Sequence, residues 1–177
     1  APQTGRVHPE RRYRLAPRWS IKASYAAMEQ NIHLLTNSST GLPTDLWVPS
    51  TDHVKPQTSQ QVAAGFAHTF GEGAFELTTE GYYKGMHNLI EYEEGAAFTL
   101  GADEDWQDVV VSGDGWSYGA EVLLRRQKGR TTGWVGYTLS WTMREFDDLN
   151  EGDPFPYRYD RRHDVSAVVT HDLTDMI

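Results

Sequence analysis

Large apolar side chains alternate with small or polar ones along several stretches of this 177-residue chain. The clearest stretch is GWVGYTLSWTMREF, from Gly133 to Phe146. Successive side chains of a β-strand point to opposite faces, so this period of two predicts a strand with one apolar and one polar face. The apolar positions are Val135, Tyr137, Leu139, Trp141 and Met143, and the polar positions are Gly136, Thr138, Ser140 and Thr142. Alternation alone leaves open whether the apolar face meets a protein core or lipid.

The same alternation recurs in five other stretches. They are RWSIKASYAAM, QQVAAGFAHTF, AFELTTEGYYKGM, SYGAEVLLRR and RRHDVSAVVTHD, while RRYRL before Pro17 is predicted to be the end of a further strand. We therefore predict an all-β chain of about six or seven strands. Residues 1–17 are assigned to an N-terminal tail that contains this strand end, and residues 18–177 to the sheet.

Short and long connections alternate along the chain. Two connections consist only of GEG and QKGRTTG, which are tight turns by composition, whereas long loops are expected near 29–58, 88–115 and 144–159. In an up-and-down antiparallel sheet, alternate connections lie at the same end. The short turns then gather at one end and the long loops at the other, which is the asymmetry of outer-membrane β-barrels.

Strand length, aromatic side chains and charged side chains also favour lipid over a protein core. The strands reach about ten residues, the length that a tilted membrane strand requires. Aromatic residues lie near strand ends, as in interfacial girdles: Trp19, Phe70, Trp116, Trp134 and Trp141. Charged residues inside the polar faces are predicted to face a wet lumen: Lys22, Glu76, Glu80, Lys84, Glu121 and Arg125. We therefore predict an antiparallel up-and-down transmembrane β-barrel segment. Because bacterial single-chain barrels need about eight strands or more, we expect it to belong to a larger barrel.

Charge and composition exclude some functions. The 16 Lys+Arg residues are outnumbered by 25 Asp+Glu residues, so the net charge of -9 argues against a nucleic-acid partner. The absence of cysteine excludes disulfides and thiolate metal ligands. A mean hydropathy of -0.60 is compatible with a membrane barrel, since its strands alternate and its loops are polar.

No catalytic or metal-binding constellation is recognisable in the sequence. The seven histidines lack ligand spacing, and the acidic stretch GADEDW, from Gly101 to Trp106, is better interpreted as a solvated loop than as a calcium site. We predict no enzyme activity, no metal and no cofactor. Aromatic side chains of the outer loops could stack on a sugar or an aromatic ligand, although loop packing is the favoured interpretation: Trp47, Trp106, Phe155 and Tyr157. The block YDRRHD suggests arginine–aspartate pairing where a strand leaves an outer loop.

Several blocks carry a family resemblance, of which LPTDLWVPS and YDRRHD are the most specific. From about Arg18 to its end, the chain resembles the C-terminal part of the barrel of TonB-dependent outer-membrane receptors. The type is common in Bacteroidetes and often carries a carboxypeptidase-regulatory-like domain.

The resemblance implies a 22-stranded barrel in the bacterial outer membrane, closed by an N-terminal plug. Such a barrel imports a scarce bulky nutrient (a siderophore, cobalamin, glycan or peptide) with energy relayed by the TonB–ExbB–ExbD complex. The implied partners are the remaining barrel, the plug domain, outer-membrane lipid and a surface lipoprotein. No ligand site is transferred residue by residue. The alternative is a soluble all-β carbohydrate-binding module that uses Trp47 and Trp106.

Overall fold

A computed structural model of the chain describes residues 6–7, 11–35, 46–93 and 105–173. The strands are β1 (Arg6–Val7), β2 (Arg11–Ala16), β3 (Trp19–Gln30), β4 (Ile32–Leu35), β5 (Leu46–Pro49), β6 (Gln57–Phe70), β7 (Phe75–Tyr92), β8 (Val110–Arg126), β9 (Thr131–Glu145), β10 (Phe155–Pro156) and β11 (His163–His171). Short 3₁₀ helices span Trp106–Val109 and Asn150–Gly152. Among the described residues, no helix is long and apolar enough to cross a membrane.

The main sheet is antiparallel, and its strands follow chain order. In the described part of the chain the order is β1–β3–β6–β7–β8–β9–β10, with β2 also pairing with β3 and β11 with β9. β1 and β2 therefore share one position in the sheet, and β10 and β11 share another, which leaves seven positions. Strands β4 and β5 pair only with each other and form a hairpin in the connection between β3 and β6. The prediction of an all-β up-and-down barrel segment of six or seven strands is confirmed.

The connections divide between the two ends of the sheet as predicted. Turns at residues 17–18, 71–74 and 127–130 lie at one end, and the connections from β3 to β6, from β7 to β8 and from β9 to β11 begin and end at the other. We call these the turn end and the loop end. Gly71 and Gly73 have φ values of 59° and 81°, which a residue with a Cβ adopts only with strain. These glycines allow the tight turn between β6 and β7.

Strands β7 and β8 continue well into the segment 88–115, which the sequence predicted as a loop. They pair as far as Tyr92 and Val110, with a β-bulge between Met86 and Leu89. Asn88, inside the bulge, has a φ of 56°. The ladder continues because backbone pairing does not require alternating side chains, and the bulge interrupts the period of two that the prediction relied on. The extension beyond the bulge forms a two-stranded ribbon at the loop end.

Two small hydrophobic cores pack on opposite faces of this ribbon. Consecutive residues of a strand face opposite ways, and Ile90 belongs to one core while Leu89 belongs to the other. The hairpin core also contains Leu35, Val48 and Val54, with Leu46, Tyr92, Trp106 and Val110 packed around it. The loop core contains Phe146 and Leu149, with Met86, Val111 and Phe155 packed around it. Both cores therefore lie among the loops.

Candidate functional site

One face of the sheet exposes a continuous apolar surface. On β3 and β6–β9 the exposed large residues of this face are 38% to 53% exposed, and they comprise Trp19, Ile21, Tyr25, Val62, Phe66, Tyr83, Tyr118, Val122, Leu124, Val135 and Tyr137. We call this the apolar face and its reverse the polar face. Soluble monomers rarely expose contiguous apolar patches beyond a few hundred Å². A surface of this kind is suited to contact with lipid.

Two belts of aromatic side chains border the apolar face. The lower belt, at the turn end, contains Trp19, His68, Phe70 and Phe75; the rings of Trp19 and His68 stack at 3.9 Å. The upper belt is one row of paired residues that includes Tyr25, Tyr83, Tyr118 and Trp141.

The distance between the belts matches a membrane. The eight residue-to-residue steps from Phe75 to Tyr83 span roughly 27 Å along the strand. At a tilt of about 40° this is roughly 21 Å along the membrane normal, close to the apolar band of about 25 Å in outer-membrane barrels. Of the predicted girdle residues, Trp134 is an exception. It pairs with Arg125 and therefore lies on the polar face.

The polar face carries an ion pair that crosses a glycine. Lys22, Gly65 and Glu80 occupy paired positions on three neighbouring strands, and the Lys22 Nζ lies 2.6 Å from a Glu80 carboxylate oxygen. A Cβ at Gly65 would lie 3.2 Å from the Cβ of Glu80 and 2.3 Å from the carbonyl oxygen of Thr79. The missing side chain therefore leaves room for the Lys22 side chain to reach across β6.

The six residues predicted to face the lumen all lie on the polar face. Glu121 pairs in register with Glu80, which places two like charges side by side. Glu76 pairs in register with Arg125 and accepts a hydrogen bond from the Gln127 side chain at 3.3 Å. Lys84 lies in β7, as Glu76 and Glu80 do, and its even-numbered position places its side chain on the same face as theirs. That the polar face lines a lumen stays a prediction.

The four aromatic residues predicted as ligand contacts occupy different environments. Trp106 packs against the hairpin core, and Phe155 stacks on Phe146 at 6.1 Å in the loop core. These contacts favour loop packing for both. Trp47 is 64% exposed, and Tyr157 covers an arginine. The structure thus brings only Tyr157 of the four into a cluster of polar groups.

This polar group, the rim cluster, consists of Glu91, Arg144, Arg158 and Tyr157. An Arg144 guanidinium nitrogen lies 2.6 Å from one Glu91 carboxylate oxygen, and Arg158 pairs with the other oxygen. The Arg144 guanidinium also lies 3.7 Å from the centre of the Tyr157 ring. Burial raises the pKa of Tyr157 above its ordinary value, and the positive charge of Arg144 opposes part of this rise. Two cations sharing one carboxylate leave the rim cluster with a net positive charge.

Sequence reasoning missed the rim cluster because its members are far apart in the chain. Glu91 is separated by 53 residues from Arg144 and by 67 from Arg158. The prediction from YDRRHD is confirmed, since Arg162 lies 3.1 Å from the Asp160 carboxylate. The Arg162 guanidinium also lies 4.9 Å from the Trp141 ring centre, which ties this loop to the upper belt.

Metal-binding geometry does not appear in the described part of the chain, where no group of three or more His, Cys, Asp or Glu residues could hold an ion. His87 and Glu91 do not converge: His87 pairs with Asp114 at 3.1 Å, while Glu91 holds the two arginines. Residues 101–104 of the acidic stretch lie outside the described residues.

The sheet and its two faces define the class of protein. The sheet is antiparallel and up-and-down, with an apolar face between aromatic belts, a charged reverse face and long loops at one end. Together these features define the wall of an outer-membrane β-barrel. Residues 12–173 match the family model described as TonB dependent receptor-like, beta-barrel, and the chain belongs to that family. Comparison with curated proteins and with solved structures returned no match. Members of the family are bacterial outer-membrane transporters, which in general work with a plug domain and with TonB.

Proposed function

We propose that this chain forms part of the wall of a TonB-dependent transporter in the outer membrane of a Gram-negative bacterium. The transporter imports a scarce bulky nutrient of the siderophore, cobalamin, glycan or peptide class and has no enzyme activity. Its barrel has 22 strands and is of the Bacteroidetes type. A plug domain closes it, the TonB–ExbB–ExbD complex energises it, and a surface lipoprotein caps it.

The exposed apolar face is the observation that carries this proposal. A soluble carbohydrate-binding module would leave that face in water, and one of its two supposed ligand contacts, Trp106, is engaged in loop packing. Outer-membrane lipid covers the face in the proposed arrangement. The polar face, with its Lys22–Glu80 ion pair, then lines a wet lumen.

The rim cluster lies on the same side of the sheet as the polar face, because Arg144 and Glu91 occupy polar-face positions. It therefore faces the mouth of the proposed lumen. We infer that Tyr157 contacts the incoming nutrient, with the net positive charge of the cluster favouring ligands that carry carboxylate or phosphate groups.

Transport is tested with the intact receptor in cells. Cells with and without the gene are compared for uptake of labelled ferric siderophores, cobalamin, oligosaccharides and peptides, before and after the proton-motive force is dissipated. We expect deletion to abolish uptake of one class, and an uncoupler to abolish it equally. Energy-independent uptake, or no loss of any class on deletion, would refute the proposal.

The orientation of the wall is tested by adjacent single cysteines. The chain contains no cysteine, so Leu139→Cys and Ser140→Cys introduce matched labelling sites on opposite faces of β9. With nitroxide labels on the intact receptor in bilayers, the Leu139 position should be accessible to oxygen and the Ser140 position to a water-soluble nickel complex. Equal accessibility of both positions to the nickel complex would contradict the orientation.

A further inference from the structure

The lower belt has a gap on β9. In the row of paired residues that contains Phe75, the next positions on β8, β9 and β11 are Arg126, Gly133 and Val169. Gly133 has a φ of 150°, and a Cβ on it would lie 2.1 Å from the carbonyl oxygen of Val168. The backbone therefore requires a glycine here, and no side chain continues the belt.

The gap opens a groove of about 170 Å³ on the apolar face at the turn end. Its lining includes Phe75, Leu124, Arg126, Gly133, Val135 and Val169. Leu124 and Val135 are 41% and 49% exposed, so the groove is open to the surroundings of the sheet. An acyl chain seated in it contacts apolar atoms on more than one side, whereas a flat wall offers contacts on one side only.

Arg126 places a positive charge at the turn-end edge of the groove. It occupies an even-numbered position of β8, as Leu124 does, so its side chain leaves from the apolar face. The Arg126 Cζ lies 5.7 Å from the centre of the Phe75 ring, and the Nε donates a hydrogen bond to the Lys128 carbonyl oxygen at 3.2 Å. These contacts hold the guanidinium between the lower belt and the turn at residues 127–130. Within the described residues its other N–H groups donate no hydrogen bond.

The turn beside the groove carries an excess of positive charge. Its cations are Arg126, Lys128 and Arg130, and the two acids beside it are Glu72 and Asp172. Lys128 Nζ donates to the Glu72 carbonyl oxygen at 2.8 Å, and the Asp172 backbone N–H donates to the Arg130 carbonyl oxygen at 2.9 Å. Three cations against two carboxylates leave a net charge of +1.

We propose that this groove binds a membrane phospholipid whose headgroup is net negative, the class to which phosphatidylglycerol belongs. One acyl chain lies in the groove along Leu124 and Val135. The phosphate accepts hydrogen bonds from the Arg126 guanidinium, whose planar fork matches phosphate oxygens, and Lys128 adds to the positive potential. Because the short turns of outer-membrane barrels lie on the periplasmic side, the site faces the periplasmic leaflet, which consists of phospholipids.

The net positive charge selects this headgroup over a zwitterionic one. The ammonium ion of phosphatidylethanolamine would approach the same cations and offset part of the attraction of its phosphate. The aromatic belt sets the height of the site, since such belts lie where headgroups meet the acyl chains. The proposal rests on the membrane orientation in the proposed function, and it does not depend on which nutrient is transported.

The test measures which lipid the intact receptor retains. The receptor is placed in nanodiscs with equal amounts of phosphatidylglycerol and phosphatidylethanolamine, and native mass spectrometry identifies the lipids that remain bound after release. We expect phosphatidylglycerol to be enriched about five-fold among them, and Arg126→Gln with Lys128→Gln to abolish the enrichment. Arg126→Lys should preserve part of it, because the charge remains while the forked geometry is lost. Val135→Trp, which fills the groove, should lower the number of retained phosphatidylglycerol molecules although both cations remain.

Arg125→Gln is the matched control, because it removes the neighbouring cation of β8 on the polar face, where Arg125 pairs in register with Glu76. It should leave the lipid ratio at the wild-type value, and heat-shift electrophoresis selects the folded fraction of every variant. Equal retention of both lipids by the unmodified receptor, or preferential retention of phosphatidylethanolamine, would overturn the proposal. Unchanged retention by Val135→Trp, or an equal effect of Arg125→Gln, would also overturn it.

Uptake is measured on the same receptor preparations in cells. Lipid selectivity without any uptake would refute the proposed transport function alone. Uptake without lipid selectivity would refute the lipid site alone.

Discussion

Removing the carboxylate of Glu91 should release the outer loop of residues 146–162. In the rim cluster this carboxylate is the ion-pair partner of two arginines, and the exposed side-chain fractions are 14% for Glu91, 15% for Arg144 and 28% for Arg158. Glu91→Gln preserves the size of the side chain but removes the negative charge that Arg144 and Arg158 share. The loop therefore loses the charge pairing that holds it to β7.

The expected cost follows from the burial of these groups. Breaking a fully buried ion pair by removing one partner costs about 3–5 kcal/mol. Because the arginines remain partly exposed to water, we expect roughly 2–3 kcal/mol, most of it confined to the loop. Each 1.36 kcal/mol is about a tenfold change in an equilibrium constant, so the open population of the loop should rise roughly 30- to 150-fold.

Trypsin cleavage after Arg158, Arg161 or Arg162 in intact cells measures this opening, since cleavage follows the open population when opening and closing are fast. Asp153→Asn, which neutralises an exposed acid in the same loop, is the control and should leave the rate unchanged. Adding Arg144→Met to Glu91→Gln should recover part of the protection because it removes one unpaired charge. A cleavage rate for Glu91→Gln within threefold of wild type, or equal acceleration by Asp153→Asn, would refute this reasoning.

Other positions give shorter tests. Gly65→Val should lower the fraction of folded receptor in the outer membrane, because a Cβ would lie 2.3 Å from the Thr79 carbonyl oxygen. Gly85→Ala, with open space around its Cβ, should fold normally. Heat-shift electrophoresis measures the folded fraction of both variants. Phe146→Ala should destabilise the loop core by about 3–5 kcal/mol in amide hydrogen exchange, and protection at wild-type level would contradict this. Burial lowers the pKa of His33 below its ordinary value of 6.5, so as the pH falls the unfolded hairpin binds more protons than the folded one and the hairpin loses stability. The hydrogen-exchange protection of β4 should therefore fall as the pH drops from about 7 towards about 5. His33→Gln should remove this pH dependence.

The strands and the short turns could be predicted from the sequence because both are local signals. Each membrane strand repeats the same two-residue period, and lipid on one side with polar groups on the other preserves that period along the full strand. The position of Trp134 shows how this signal should be applied. Its closeness to a strand end suggested a girdle, whereas its even number in β9 already placed it with Thr138 and Ser140 on the polar face.

The outer loops could not be predicted in the same way, because their structure depends on contacts between distant segments. MHNLIEY, from Met86 to Tyr92, has no simple alternation, and nothing in it shows that Asn88 adopts a positive φ. The rim cluster unites a residue of β7, one of β9 and two of the following loop. Their mutual attraction is specified only after the sheet has set the register.

The bulge in β7 explains how one ribbon supports two separate loop structures. Without it, His87, Leu89 and Glu91 would all project from the apolar face. The register shift moves Leu89 and Glu91 to the polar face, where they meet Phe146 and Arg144, and it moves Ile90 to the opposite face, where it meets the β4–β5 hairpin. The loop core and the rim cluster therefore form one unit on the side of the proposed lumen, and the hairpin core is a second unit behind the ribbon. Because these units share only the ribbon backbone, protonation of His33 should loosen the hairpin while Arg144 stays paired with Glu91.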